Sequence, residues 1–209
     1  MDWSQSFRTF AGLLAILNPL GAIPIFLGLT LDQSPAQRRH TARLAALAVA
    51  AVLIVAAWAG ESILGFFGVR IASFRVGGGI LILLMAISML TARTSGAKHT
   101  AEEAEEAESK DNVGVVPIGV PLLAGPGSIS LVIVDAQSAD STGRFMLSGI
   151  ILLVAAIAWF TLLLASPLGK VLGKTGINIF TRLMGLLLAA VAVEYIAVGL
   201  LELFPALSN

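Results

Sequence analysis

Two short stretches gather residue types that free backbone polar groups inside apolar runs. The first is Asn18-Pro19-Leu20-Gly21, followed by Pro24. The second is Pro121-Leu122-Leu123-Ala124-Gly125-Pro126-Gly127-Ser128-Ile129-Ser130. Proline lacks an N–H and clashes with the carbonyl four residues earlier. Pro19 therefore frees the carbonyl of Ala15, and Pro24 that of Leu20. Gly21, Gly125 and Gly127 permit turns that other residues resist. A helix resuming after Gly127 opens with free N–H groups and a partial positive charge, and Ser128 and Ser130 add hydroxyls there. Such an end suits a carboxylate. The freed carbonyls and the Asn18 amide suit an ammonium group or another cation. A zwitterionic amino acid offers both charges on one carbon, and the surrounding Ala, Leu and Ile leave room for a small neutral side chain. The plainer alternative is a pair of proline kinks that only shape helix packing.

Four charged residues also stand near or within apolar runs. Glu194 lies about ten residues, roughly 15 Å, inside the last run. A carboxylate at that depth is a candidate for proton coupling, or else a structural hydrogen-bond or ion-pair partner. Glu61 and Arg75 lie toward the same side, so Arg75 could pair with either carboxylate. Arg75 and Arg182 each begin a run and each precede a glycine by three residues, Gly78 and Gly185. They read as gates on the two faces, or as anchors that snorkel to the lipid interface.

Other chemistries are absent. There is no Cys, hence no disulfide, thiolate nucleophile or Cys-ligated metal. The two His, His40 and His99, lie in charged stretches. No nucleophile sits beside a base, and no metal-ligand spacing occurs, so we expect no catalytic residue, no metal, no cofactor and no enzyme. Ser128 lacks the second flanking glycine of a hydrolase elbow. The 13 Lys+Arg balance 13 Asp+Glu, which leaves no basic surplus for a nucleic-acid partner.

The elements that position these residues follow from composition. The chain has 209 residues, 57% hydrophobic and 12% charged, with a mean hydropathy of +0.92. A soluble domain carries about 25% charge, so the lipid bilayer is this chain's solvent. Six runs reach the ~20 residues of a spanning helix: Phe7–Leu31, Leu44–Phe67, Ile71–Thr91, Val113–Val134, Phe145–Leu168 and Ile177–Phe204. None alternates strictly, which argues against a membrane barrel. The expected fold is an all-α membrane protein of six transmembrane helices, the first and fourth broken. Arg38, Arg39, Arg43, Arg93, Lys98, Lys110, Lys170, Lys174 and Arg182 fall on odd-numbered connections or their edges. Arg8, Arg70, Arg75 and Arg144 fall on the other side. This asymmetry places the odd connections in the cytoplasm and both termini outside.

The two halves align at a constant offset of 107 residues: Gly12 on Gly119, Pro19 on Pro126, Arg75 on Arg182 and Gly78 on Gly185. Each half holds three spans, an odd number, so the second enters the bilayer from the opposite face. We expect a three-helix repeat over 1–92, an acidic cytoplasmic linker over 93–112, and an inverted repeat over 113–209. Many secondary transporters have this plan, with the site near the midplane where broken helices meet.

The stretches Asn18-Pro19-Leu20-Gly21-Ala22-Ile23-Pro24-Ile25-Phe26 and Pro121-Leu122-Leu123-Ala124-Gly125-Pro126-Gly127-Ser128-Ile129 resemble the signatures of the MarC family of bacterial inner-membrane proteins. Phe74-Arg75-Val76-Gly77-Gly78-Gly79-Ile80-Leu81 and Thr181-Arg182-Leu183-Met184-Gly185-Leu186-Leu187 resemble its third and sixth spans. The resemblance covers essentially the whole chain. It implies six spans in an inverted repeat. It also implies, through the SnatA-like branch, transport of small neutral amino acids such as glycine and alanine. For a secondary transporter we expect a coupling proton or sodium ion as a further partner. Matched by motif, Asn18, Pro19, Gly21, Gly125, Pro126, Gly127 and Ser128 would line the site. Two alternatives stay open: an exporter of metabolites or drugs, and a non-transporting scaffold or sensor. An oligomer is compatible with each.

Overall fold

The computed structural model describes residues 3–91 and 114–208, and every regular element among them is helical. In chain order these are α1 (Trp3–Leu17), α2 (Pro19–Leu29), α3 (Pro35–Phe66), α4 (Ile71–Leu90), α5 (Gly114–Leu123, a π-helix), α6 (Pro126–Gln137), α7 (Ser141–Leu163) and α8 (Ala165–Leu203). A short 3₁₀ turn, Pro205–Ser208, follows. The linker expected over 93–112 lies outside the described residues, with its Arg93, Lys98 and Lys110.

Among the described residues, five helical stretches are long and apolar enough to cross a membrane: Trp3–Leu29, Pro35–Phe66, Ile71–Leu90, Ser141–Leu163 and Ala165–Leu203. The expected fourth span is divided at Ala124-Gly125 into α5 and α6, of 10 and 12 residues. Neither piece alone reaches the ~20 residues of a crossing.

Two boundaries also differ from expectation. Helix α3 begins at Pro35 rather than Leu44. Ser34 and Gln37 form a reciprocal capping box, and Pro35 occupies the first turn. Arg38, Arg39 and Arg43 therefore ride on the helix rather than in a connection. At 32 residues α3 is about 48 Å long, well beyond the ~30 Å hydrocarbon core, so its first turns stand outside that core. Helix α8 runs for 39 residues from Ala165, carrying Lys170 and Lys174 within it. Gly173 interrupts it at φ 59°, a left-handed conformation that favours glycine. A single residue, Leu164, joins α7 to α8.

Small residues let α4 and α8 pack closely. A Cβ on Gly79 would lie 3.0 Å from the carbonyl oxygen of Ala192, one on Gly185 3.1 Å from that of Ala86, and one on Gly199 3.0 Å from that of Ala72. Contacts that advance along α4 retreat along α8, so the two helices are antiparallel. Without a hydrophobic drive between helices in lipid, such backbone proximity is a main source of association. Large apolar side chains stand exposed on the outer helices, among them Leu152, Leu153, Phe160, Leu183, Leu186 and Leu187. So broad an apolar surface suits a lipid environment. Helices α1, α2 and α6 fill the interior, where Leu13, Ile16, Ile23, Phe26, Leu131 and Val132 are buried.

Candidate binding site at two helix breaks

The first break is at Asn18. Its backbone is left-handed (φ 44°, ψ 60°), the sole positive φ at a non-glycine residue among those described. Asparagine tolerates this region better than most residues because its short amide can bond locally. Here Asn18 Oδ1 accepts from the Gly21 N–H at 3.2 Å, capping α2, and Nδ2 donates to Thr181 Oγ1 of α8 at 3.5 Å. Gly21 is required by this cap: a Cβ there would lie 2.1 Å from Asn18 Nδ2. Asn18 and Pro19 are both buried. The Asn18 amide, expected as a free ligand group, is engaged in holding the break.

The second break follows the π-helix. Ala124 N–H donates to Gly119 O across five residues at 2.8 Å, and Gly125 N–H donates to Leu123 O. Gly125 then turns extended and α6 begins at Pro126 without a side-chain cap. The Gly125 carbonyl accepts from the N–H groups of Ser128 and Ile129 and from Ser128 Oγ, the last at 2.8 Å. Ser128 is fully buried, its hydroxyl turned back on this carbonyl.

The second break packs against the end of α1, two residues ahead of the first. A Cβ on Gly127 would meet Ile16 at 3.6 Å, Ile82 at 3.4 Å and Met85 Sδ at 3.0 Å. Gly127 is thus a close-packed position in apolar surroundings. A cleft of about 600 Å³ lies on another flank of the second break, where Phe74, Gly77 and Gly78 of α4 face Ala124, Pro126 and Ser130. Ser130 Oγ is buried there with no hydrogen-bond partner among the described residues. Gly78 makes room for that hydroxyl.

The charged candidates separate. Arg75 pairs with Glu202, rather than with Glu61 or Glu194. Glu61 pairs with Arg144 at 2.7 Å, joining α3 to α7. Glu194 and Arg182 are exposed. Glu194 lines a polar pocket of about 190 Å³ with Arg75.

The same pocket holds a constellation that sequence reasoning missed. Asp135 of α6 accepts from Thr9 Oγ1 of α1 at 2.6 Å and from the hydroxyl of Tyr195 of α8 at 3.1 Å. Asp135 falls one residue past Val134, the last residue of the fourth apolar run. An acid directly ending Ile129-Ser130-Leu131-Val132-Ile133-Val134, and one tyrosine in the whole chain beside Glu194, were the available signals.

The sequence is similar to known membrane proteins along nearly its whole length. The chain is 40% identical to the UPF0056 membrane protein YhcE of Escherichia coli, covering all of this chain and 97% of its relative. It is 40% identical to a UPF0056 membrane protein of Buchnera aphidicola, over 99% of this chain and 96% of the other. It is 34% identical to the UPF0056 inner membrane protein MarC of Escherichia coli, over 91% of each. No solved structure matches. The model for the MarC family of integral membrane proteins matches residues 3–204, and the chain belongs to that family.

Proposed function

We propose that this chain is a secondary transporter of small neutral amino acids, glycine or alanine in type, working by alternating access. The observation that carries this reading is the approach of the two broken helices, with Ile16, two residues ahead of the first break, against Gly127 of the second. They fall at matched positions of the 107-residue offset, Pro19 opening α2 and Pro126 opening α6. In this reading α5 and α6 together complete a sixth crossing, and the antiparallel α4 and α8 are the third helices of two inverted repeats. Asn18, Pro19 and Gly21 then form one wall of the site, and Gly125, Pro126, Gly127 and Ser128 the other. Close packing at Gly127 is the occluded condition, and opening requires the two breaks to part. Arg75, Glu61, Glu194 and Arg182 are the charges available for gating, with a proton or sodium ion as the driving partner. The membrane is the bacterial inner membrane, as the name of the MarC relative has it for that protein, with both termini periplasmic.

The test is uptake of labelled glycine and alanine by the purified protein in liposomes, with and without proton and sodium gradients. Accumulation above protein-free vesicles supports the reading. No uptake of any neutral amino acid by folded protein overturns it. A second reading, export of a larger apolar metabolite or drug, is favoured by the 600 Å³ cleft at Phe74 and Gly78. Competition of amphipathic compounds against glycine uptake separates the two.

A further inference from the structure

We propose that Asp135 carries the coupling proton of this protein, and that its proton occupancy works a latch joining α1, α6 and α8. The inference rests on the transporter reading and names the group on which its coupling acts.

Asp135 is the meeting point of three helices. Thr9 of α1 donates to Oδ2 and Tyr195 of α8 donates to Oδ1. An ionised carboxylate only accepts, so it satisfies both hydroxyls at once and holds the three helices together. A protonated carboxyl has one O–H of its own to donate. In this proposal the new O–H stands on Oδ1, toward Tyr195, the partner of the longer bond. The phenol, which can accept as well as donate, must then turn its own hydrogen elsewhere. The Asp135–Tyr195 bond is then reversed and loses the charge assistance of an ionised acceptor, so the hold of α8 on α6 is weakened.

The surroundings suit a group that changes state. Asp135 is half-buried and lines the 190 Å³ pocket with Gln5, Arg75, Ser138, Glu194 and Tyr195. No cation contacts it directly among the described residues, because Arg75 of α4 pairs with Glu202 of α8. Of the other charges on the helices around this pocket, Glu194 and Arg182 of α8 and Arg8 of α1 are exposed, and Glu61 of α3 pairs with Arg144 of α7; Arg38, Arg39, His40 and Arg43 of α3 and Lys170 and Lys174 of α8 are not among the residues that line the pocket. From α1 come the neutral Gln5 and Thr9. Two neutral hydroxyls can serve either protonation state, whereas an ion pair would fix one. The proton comes from water in the pocket, forms the O–H bond on Asp135, and returns to water on the other face once the helices have moved.

Two measurements test this. In proteoliposomes, Asp135→Asn should abolish accumulation of labelled glycine driven by a proton gradient while gradient-independent glycine counterflow persists. Gradient-driven accumulation by Asp135→Asn at the wild-type level overturns the proposal. Infrared difference spectra taken across a pH titration need no substrate. Among the carboxyl C=O bands of the 13 Asp and Glu, one should titrate in the wild type and be missing from Asp135→Asn; an identical set of titrating bands in the two proteins overturns the proposal. If the glycine reading itself fails, wild-type counterflow is absent while the infrared titration still decides. If Asp135→Asn does not fold, Tyr195→Phe decides: it should shift the titration midpoint of that band, and an unchanged midpoint overturns the latch.

Discussion

Gly78 and Ser130 interlock between α4 and α6. A Cβ built on Gly78 would lie 1.6 Å from Ser130 Oγ and 2.7 Å from Ser130 Cβ. The hydroxyl can rotate away, but the Cβ cannot without backbone movement. Gly78→Ala should therefore cost about 1–3 kcal/mol, the range for overpacking a well-filled interior. Ser130→Gly in the same chain should return most of it. Thermal unfolding in detergent reads both. A Gly78→Ala protein as stable as the wild type would show that the helices part freely at this point.

Asn18 makes a second exposed prediction. Its left-handed backbone costs an ordinary L-residue about 1–2 kcal/mol, and its amide caps α2 through the Gly21 N–H. Asn18→Ala loses both and should melt well below Asn18→Gly, which loses only the cap and the Thr181 contact. Replacing a capping asparagine by glycine costs only a few tenths of a kcal/mol. Equal melting temperatures for the two variants would remove backbone strain as the reason for Asn18.

Gly127 tests the site. Its Cβ vector points at Met85 Sδ, Ile82 and Ile16. Gly127→Ala needs only a small shift of the flexible Met85 side chain and should fold normally. Gly127→Val should cost about 1–3 kcal/mol by overpacking and should also abolish glycine uptake, by blocking the separation of the breaks. Normal uptake by Gly127→Val would dismiss the paired breaks as the site.

The legible part of this protein was whatever changes backbone chemistry. Pro19, Gly21, Gly125 and Pro126 announced both breaks, because missing N–H groups and missing Cβ atoms act locally. The division of the fourth apolar run was legible as a break but not as two short helices. Whether the chain stays helical through Ala124-Gly125 depends on the π-helical turn before it, held by Ala124 N–H on Gly119 O. Charge partners were not legible. Arg75 could reach several carboxylates by sequence, and the antiparallel register of α8 selects Glu202. Thr9, Asp135 and Tyr195 are separated by 126 and 60 residues and meet only through tertiary packing.

Orientation is open to a direct chemical test because the chain has no Cys. Any introduced cysteine is then the single thiol on an otherwise unreactive protein. Asp32 lies in the connection between α2 and α3, and Thr142 lies in the first turn of α7; both are exposed. The distribution of Lys and Arg puts the first connection in the cytoplasm and the start of α7 outside. A membrane-impermeant maleimide added to intact cells should label Thr142→Cys at once. It should label Asp32→Cys only after the membrane is permeabilised. The reverse pattern would invert the orientation. Labelling of both from outside would mean that an even number of crossings separates Asp32 from Thr142. The six-span reading places three between them, one of which is the divided α5–α6 segment, so that result would remove the divided segment as a crossing.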